Sequence, residues 1–177
     1  MKKLLLLLVL PATIISSCSK DSKDDNPDNG AAVNTWTFTE GSKVFSGQLA
    51  FDGASLNTFL QSNNSYSFAM LGFEKNSGFA FNVVLSLLDL NFTTKTYQSG
   101  VAGTDYSNAF YYGEINSFED IYKSSHLDPG PVMTYTITAY DAAKDIVTIE
   151  FSGQAQLTNG DYVNITKGKA IAKIDRL

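Results

Sequence analysis

The chain has 177 residues, 44% of them hydrophobic, and carries 13 lysines and arginines against 18 aspartates and glutamates, a net charge of −5. That acidic balance argues against a nucleic-acid partner, which needs a basic footprint. The single cysteine excludes an internal disulfide, and the single histidine leaves little material for a catalytic triad or a zinc site.

Residues 1–17 read as a signal peptide. Met1, Lys2 and Lys3 give a basic start, and Leu4 to Ile15 is an apolar run of 12 residues interrupted by Pro11. A membrane-spanning helix needs about 20 apolar residues, so this run suits a cleaved signal better than a span. Ile15, Ser16 and Ser17 then place one apolar and two small residues before Cys18. This is the pattern of a bacterial lipoprotein signal, cut ahead of the cysteine that carries the lipid. Cys18 is therefore the expected lipidation site, and the membrane the expected partner through that N-terminal lipid. Loss of Lys2 and Lys3 leaves 11 basic against 18 acidic residues, a charge of −7.

Residues 18–33 read as the lipidated cysteine and a flexible polar tether. The run from Ser19 to Asp25 resembles the export signal of Bacteroidota surface lipoproteins, in which a lysine and acidic residues follow the lipidated cysteine. That resemblance implies attachment to the outer membrane, facing the cell surface. Asp24, Asn26, Asp28 and Gly30 alternate like the start of a calcium loop. The glycine falls at the seventh position instead of the sixth, and Thr35 replaces the glutamate of the twelfth, so no calcium site is expected.

Residues 34–177 read as one antiparallel β domain, large enough to bury a core unaided. Trp36 to Glu40 and Lys43 to Gly47 form a hairpin through Gly41-Ser42. The type II′ turn favoured by a leading glycine pairs Glu40 with Lys43, Phe38 with Phe45 and Trp36 with Gly47. Leu56, Phe59 and Leu60 stand at helical spacing and predict a short turn. Tyr66 to Phe73 and Phe79 to Leu90 are apolar on both faces and read as central strands. Ser107 to Ile115 follows, then a second helical spacing at Phe118, Ile121 and Tyr122. Val132 to Asp141 alternates Met133, Tyr135, Ile137 and Ala139 against threonines. Ile146 to Leu157 alternates likewise and turns at Asn159-Gly160, the strongest short hairpin signal. A two-residue loop there sets Phe151 opposite Gly168, Ile149 opposite Ala170 and Val147 opposite Ala172. It also puts Val163 and Ile165 on the polar face, a conflict that either a bulge near Lys167-Gly168 or a cover over that corner would remove.

About eight to ten such strands predict an antiparallel β-sandwich, with a closed lipocalin-like β-barrel as the alternative. The signal, the Trp-x-Phe first strand and the closing Phe-Ser-Gly, Thr-Asn-Gly-Asp and Ile-Thr-Lys-Gly hairpin resemble small Bacteroidota lipoproteins with a β-rich domain of unknown function. The resemblance implies an envelope lipoprotein and supplies no catalytic residues.

Catalytic chemistry is sparse. His126 and Asp128 share a proline-rich loop and read as loop residues more readily than as a dyad. Glu114, Glu119 and Asp120 are the nearest carboxylate cluster, with Glu150 outward of the core. No phosphate-binding glycine loop occurs, so no cofactor, metal or catalytic residue is expected. Tyr97, Tyr106, Phe110, Tyr111, Tyr112 and Tyr122 crowd the middle third, mostly as core material. The expectation is a non-enzymatic surface binding or structural module whose ligand the sequence leaves open, a glycan and a protein both being candidates. The alternative is a carrier of a small apolar ligand, its cavity lined by Phe81, Val83, Leu85, Ile137 and Phe151.

Overall fold

Alternation of apolar and polar residues resolves into ten strands in a computed structural model. It describes residues 32–57, 65–93, 95–99, 108–115, 119–125 and 130–177, with backbone alone for 51–53, 57 and 119. The strands are β1 (Thr35–Glu40), β2 (Lys43–Asn57), β3 (Tyr66–Glu74), β4 (Phe79–Leu87), β5 (Thr96–Gln98), β6 (Ala109–Glu114), β7 (Glu119–Ser124), β8 (Met133–Asp141), β9 (Ile146–Leu157) and β10 (Tyr162–Arg176). Eight of them, β1, β2, β3, β4, β6, β7, β9 and β10, pair in a closed ring, while β8 extends from β9 and β5 from β8.

The domain is therefore a closed barrel, the second of the two predicted architectures, and not the sandwich. Closure follows from the pairing of the first strand with the last. β1 bonds to β2 on one side and to β10 on the other, so no pair of open edges remains to divide the sheet. Beyond the start of β1, Ile174 to Arg176 run parallel to Ala54 to Leu56 and continue the wall. Every other pairing is antiparallel.

The interior is filled by aromatic rings. Trp36 stacks on Phe81 at 4.7 Å between centroids with 7° between planes, and Phe38 stacks on Phe45 at 4.6 Å. Phe110 and Phe151 lie 5.7 Å apart in the same cluster. Phe81, Val83, Leu85, Ile137 and Phe151, the residues expected to line a carrier's cavity, all belong to this core. Towards the β1–β2 turn, Tyr112 stacks on Phe79 and Tyr122 on Tyr112, and the Lys43 ammonium sits 4.4 Å over the Phe45 ring. At the opposite end Phe92 meets Phe68 edge-on at 5.2 Å. Such contacts add about 0.5–1.5 kcal/mol per pair beyond area burial.

Trp36 needs a seat. Gly47, its partner across the hairpin, and Gly72 supply it by lacking side chains. A Cβ at Gly47 would lie 2.7 Å from Trp36 Cζ2, and one at Gly72 2.5 Å from Trp36 Nε1.

One seam is closed by a side chain instead of a ladder. Asn108 is buried; its Oδ1 accepts from the Ser86 N–H at 2.8 Å, and its Nδ2 donates to the Gln98 carbonyl at 3.0 Å. The amide thus stands in for a peptide unit between β4 and β5. Beside it, Ser99 and Ser124 hydroxyls lie 2.6 Å apart, and Ser124 donates to the Pro131 carbonyl at 2.8 Å.

The first hairpin has the predicted register, with Gly41 at φ +57°. The last hairpin is corrected by one residue near its turn. Leu157 N–H donates to the Asp161 carbonyl, so the loop has three residues, Thr158 to Gly160, and Gly160 takes φ +92°. That register pairs Val163 with Ala155 and Ile165 with Gly153, and Ile165 is fully buried. A bulge between Ile165 and Gly168, with Lys167 at φ +52°, then restores the predicted pairs from Phe151–Gly168 onward. A second bulge after Ile137 turns Ala139 outward, against the predicted alternation. The helical spacings do not yield helices where the chain is described: Leu56 lies in β2, and Ile121 and Tyr122 lie in β7. Phe59, Leu60 and Phe118 are outside the described residues. β5 and β7 were not predicted as strands.

Candidate functional site on the outer face

In a barrel each strand has one face inward, and only solvent or a partner lies outside. A strand apolar on both faces must therefore show apolar side chains outward. β3 does this: Phe68 and Met70 are fully buried, while Leu71 and Phe73 are 43% and 40% exposed. Both belong to outward rows fixed by register. One row runs Phe73, Ala80, Gly113, Asp120, and the next runs Leu71, Asn82, Tyr111, Lys123.

Residue size along these rows makes a depression. Ala80 and Gly113 are short, and the longer Leu71, Phe73, Tyr111 and Ile115 stand around them. The result is a groove of about 620 Å³ lined by these residues with Asn82, Glu114 and Asp120. Ile115 is 41% exposed, so three of the large exposed apolar side chains of the described residues gather here. A second groove of about 1130 Å³ shares Phe73 and is lined by Thr35, Ser46, Gln48, Leu49, Glu74 and Lys75 among others. A third of about 350 Å³ shares Asp120 and includes Lys123, Gln156, Leu157 and Thr158. The three form one belt across the strands.

The belt is polar as well as apolar. Asn82 is half-buried, and its Oδ1 is shielded from solvent with no hydrogen-bond partner. An unpaired acceptor of this kind costs about 1–3 kcal/mol. Glu74 accepts a 3.0 Å hydrogen bond from the Tyr112 hydroxyl, which joins the belt to the core. Burial, then that bond to Glu74, pushes the Tyr112 phenol well above its usual range. Over β8 and β9 the outer wall is hydrophilic: Thr134, Thr136, Thr138, Glu150 and Ser152 line a groove there.

The structure brings Glu114 and Asp120 together on the groove, as their sequence proximity suggested, and places Glu119 opposite Glu114 in the β6–β7 register. Glu150 is exposed and away from them, on the β8–β9 face. Tyr97, Phe110, Tyr112 and Tyr122 are core residues, whereas Tyr111 is half-buried in the groove. Cys18, the loop Asp24 to Gly30, Tyr106, His126 and Asp128 lie outside the described residues. Among the described residues, no three His, Cys, Asp or Glu side chains gather as for a metal ion. Leu71, Phe73 and Ile115 were missed as site residues. For Leu71 and Phe73 the signal was present in the two-faced apolarity of Tyr66 to Phe73, which a sandwich or a covered sheet would have absorbed. Comparison with known proteins gives no match, whether to a protein family, a curated protein or a solved structure.

Proposed function

We propose that this chain is an outer-membrane lipoprotein, anchored through Cys18 and facing the cell surface, whose barrel is a non-enzymatic binding module. The site is the outer-face groove around Phe73 and Tyr111. The observation that carries the reading is the gathering of Leu71, Phe73 and Ile115, all exposed, in one depression. Exposed apolar side chains scattered singly are ordinary, whereas those gathered into one patch point to a contact site. The aromatic filling of the barrel supports an outer site over a carrier's interior cavity. The Cys18 anchor and the charged run after it support the address.

Two measurements test this. Incorporation of labelled palmitate should occur in the wild type and vanish in Cys18→Ala, and protease applied to intact cells should remove the domain. A ligand screen by thermal shift should find compounds that raise the melting temperature, because a ligand bound only by the native state stabilises it. The reading fails if every stabilising ligand acts equally on Phe73→Ala.

A further inference from the structure

We infer that the belt holds a neutral, hydroxyl-rich sugar chain lying across the strands. The inference rests on the reading of the outer groove as the binding site and names what occupies it.

Shape comes first. The three grooves share Phe73 and Asp120, so they form a track and not a pit. From β2 to β9 the track crosses five strand spacings of about 4.8 Å, or about 24 Å. A single small molecule would occupy one groove, whereas a chain would occupy all three.

Side-chain chemistry comes second. Phe73 and Tyr111 offer aromatic rings to the apolar C–H face of a sugar ring. Between them the unpartnered Asn82 Oδ1, which rotation about χ2 would present to the groove, is an acceptor waiting for a donor. Glu114 and Asp120 line the same groove, and carboxylates accept only. A hydroxyl-rich chain supplies donors and an apolar face on each ring.

Charge decides among polymers. Lys75, Glu74, Glu114, Asp120 and Lys123 set both signs along the track. A polyanion meets the carboxylates and a polycation meets the lysines, while a neutral chain meets neither penalty. Backbone geometry disfavours an extended peptide. β3, β4 and β6 are each paired on both sides, so no free edge here can take up a peptide by strand addition. A lipid tail has no donor for Asn82.

The test is affinity electrophoresis of the full-length chain in detergent. The gels contain starch, xylan or mannan, with alginate as an anionic arm, polylysine as a cationic arm and phosphatidylcholine–detergent mixed micelles as a lipid arm. The expected result is retardation by at least one neutral polysaccharide. Its hexasaccharide should bind at least 10-fold more tightly than its monosaccharide. Phe73→Ala and Tyr111→Ala should each lose at least 10-fold. Phe73→Leu, which keeps apolar volume and removes the ring face, should lose nearly as much and guards against a variant that merely misfolds. Retention by alginate, polylysine or the lipid micelles alone, abolished by the same variants, overturns the neutral-sugar assignment and leaves the groove as the site. Neutral-sugar binding indifferent to all three variants overturns the groove itself. No retention in any arm overturns the sugar assignment.

Discussion

The seat of Trp36 makes a sharp prediction about stability. In Gly72→Ala, the new Cβ would stand 2.5 Å from Trp36 Nε1, 2.6 Å from its Cδ1 and 2.9 Å from the Gln48 carbonyl oxygen. Comfortable carbon contacts lie at about 3.5–4.0 Å, so the indole must retreat by about 1 Å. It has no room. Phe81 stacks on it at 4.7 Å and Phe38 at 5.8 Å. Overfilling of this kind costs about 1–3 kcal/mol, and disturbance of the Trp36–Phe81 stack adds up to about 1.5 kcal/mol. Alanine's lower freedom in the unfolded chain offsets about 0.4–1 kcal/mol. The net loss is about 2 kcal/mol, or about 4–8 °C in melting temperature for a domain of this size. Urea melts followed by far-UV circular dichroism measure it, with unchanged m-values as the check on two-state behaviour. The decisive control is the same change in a Trp36→Leu background, where the obstructing ring is gone. There it should cost at least about 1 kcal/mol less, a coupling typical of residues in contact. Equal cost in both backgrounds would refute the argument, because the indole would then not be what the new methyl group meets.

Other consequences are as direct. Asn108→Ala removes the bridge between the Ser86 N–H and the Gln98 carbonyl in a buried seam, and should cost about 1–3 kcal/mol by thermal melting. Arg176→Gln should weaken the domain at neutral pH and matter progressively less in acid. Hydrogen bonds from Arg176, then Tyr140, hold the Asp145 carboxyl below its usual range. A depressed carboxylate stabilises above its unfolded pKa and loses that contribution as pH falls through the folded one. The gap between variant and wild type should therefore close as pH drops below about 4; a gap that persists unchanged at pH 2 would count against it. In alkali the sign reverses. Burial raises the phenols of Tyr112 and Tyr135, so their stabilisation is complete below the unfolded value of about 10 and fades above it. Absorbance titration should show both silent until the barrel unfolds, and their ionisation in the folded state would contradict the burial argument.

The β character was legible because it rests on local physics. Gly41-Ser42 dictated a turn, and the turn dictated every pair of the first hairpin. Closure was not legible, because it depends on β1 meeting β10 across more than a hundred residues of chain, a contact no local pattern encodes. β7 hid behind Phe118, Ile121 and Tyr122, whose spacing fits a helix; the strand wins because Tyr122 enters the core. The conflict at Val163 and Ile165 was the useful one. Of the two remedies it left open, a bulge or a covered corner, the bulge is the one present, and the turn was misjudged by one residue, since a three-residue loop at Thr158 to Gly160 shifts the near register. The groove was half legible. Two-faced apolarity flagged β3, but only the single-layer wall of a barrel converts that into exposed surface.

The joining of β1 to β10 also governs when this protein can become itself. β10 bonds to β9, to β1 and, at its end, to β2. Until those 15 residues are in place, β9 and β1 each lack a neighbour, and the sheet is an open ribbon with two unsatisfied edges. Contacts between the first and last strands carry the largest loop-closure cost in the chain, so folding should be slow for its size and end with the C-terminal strand. Removal of β10 as a whole would unpair β1 and β9 together and so reopen the barrel, not merely one edge of it.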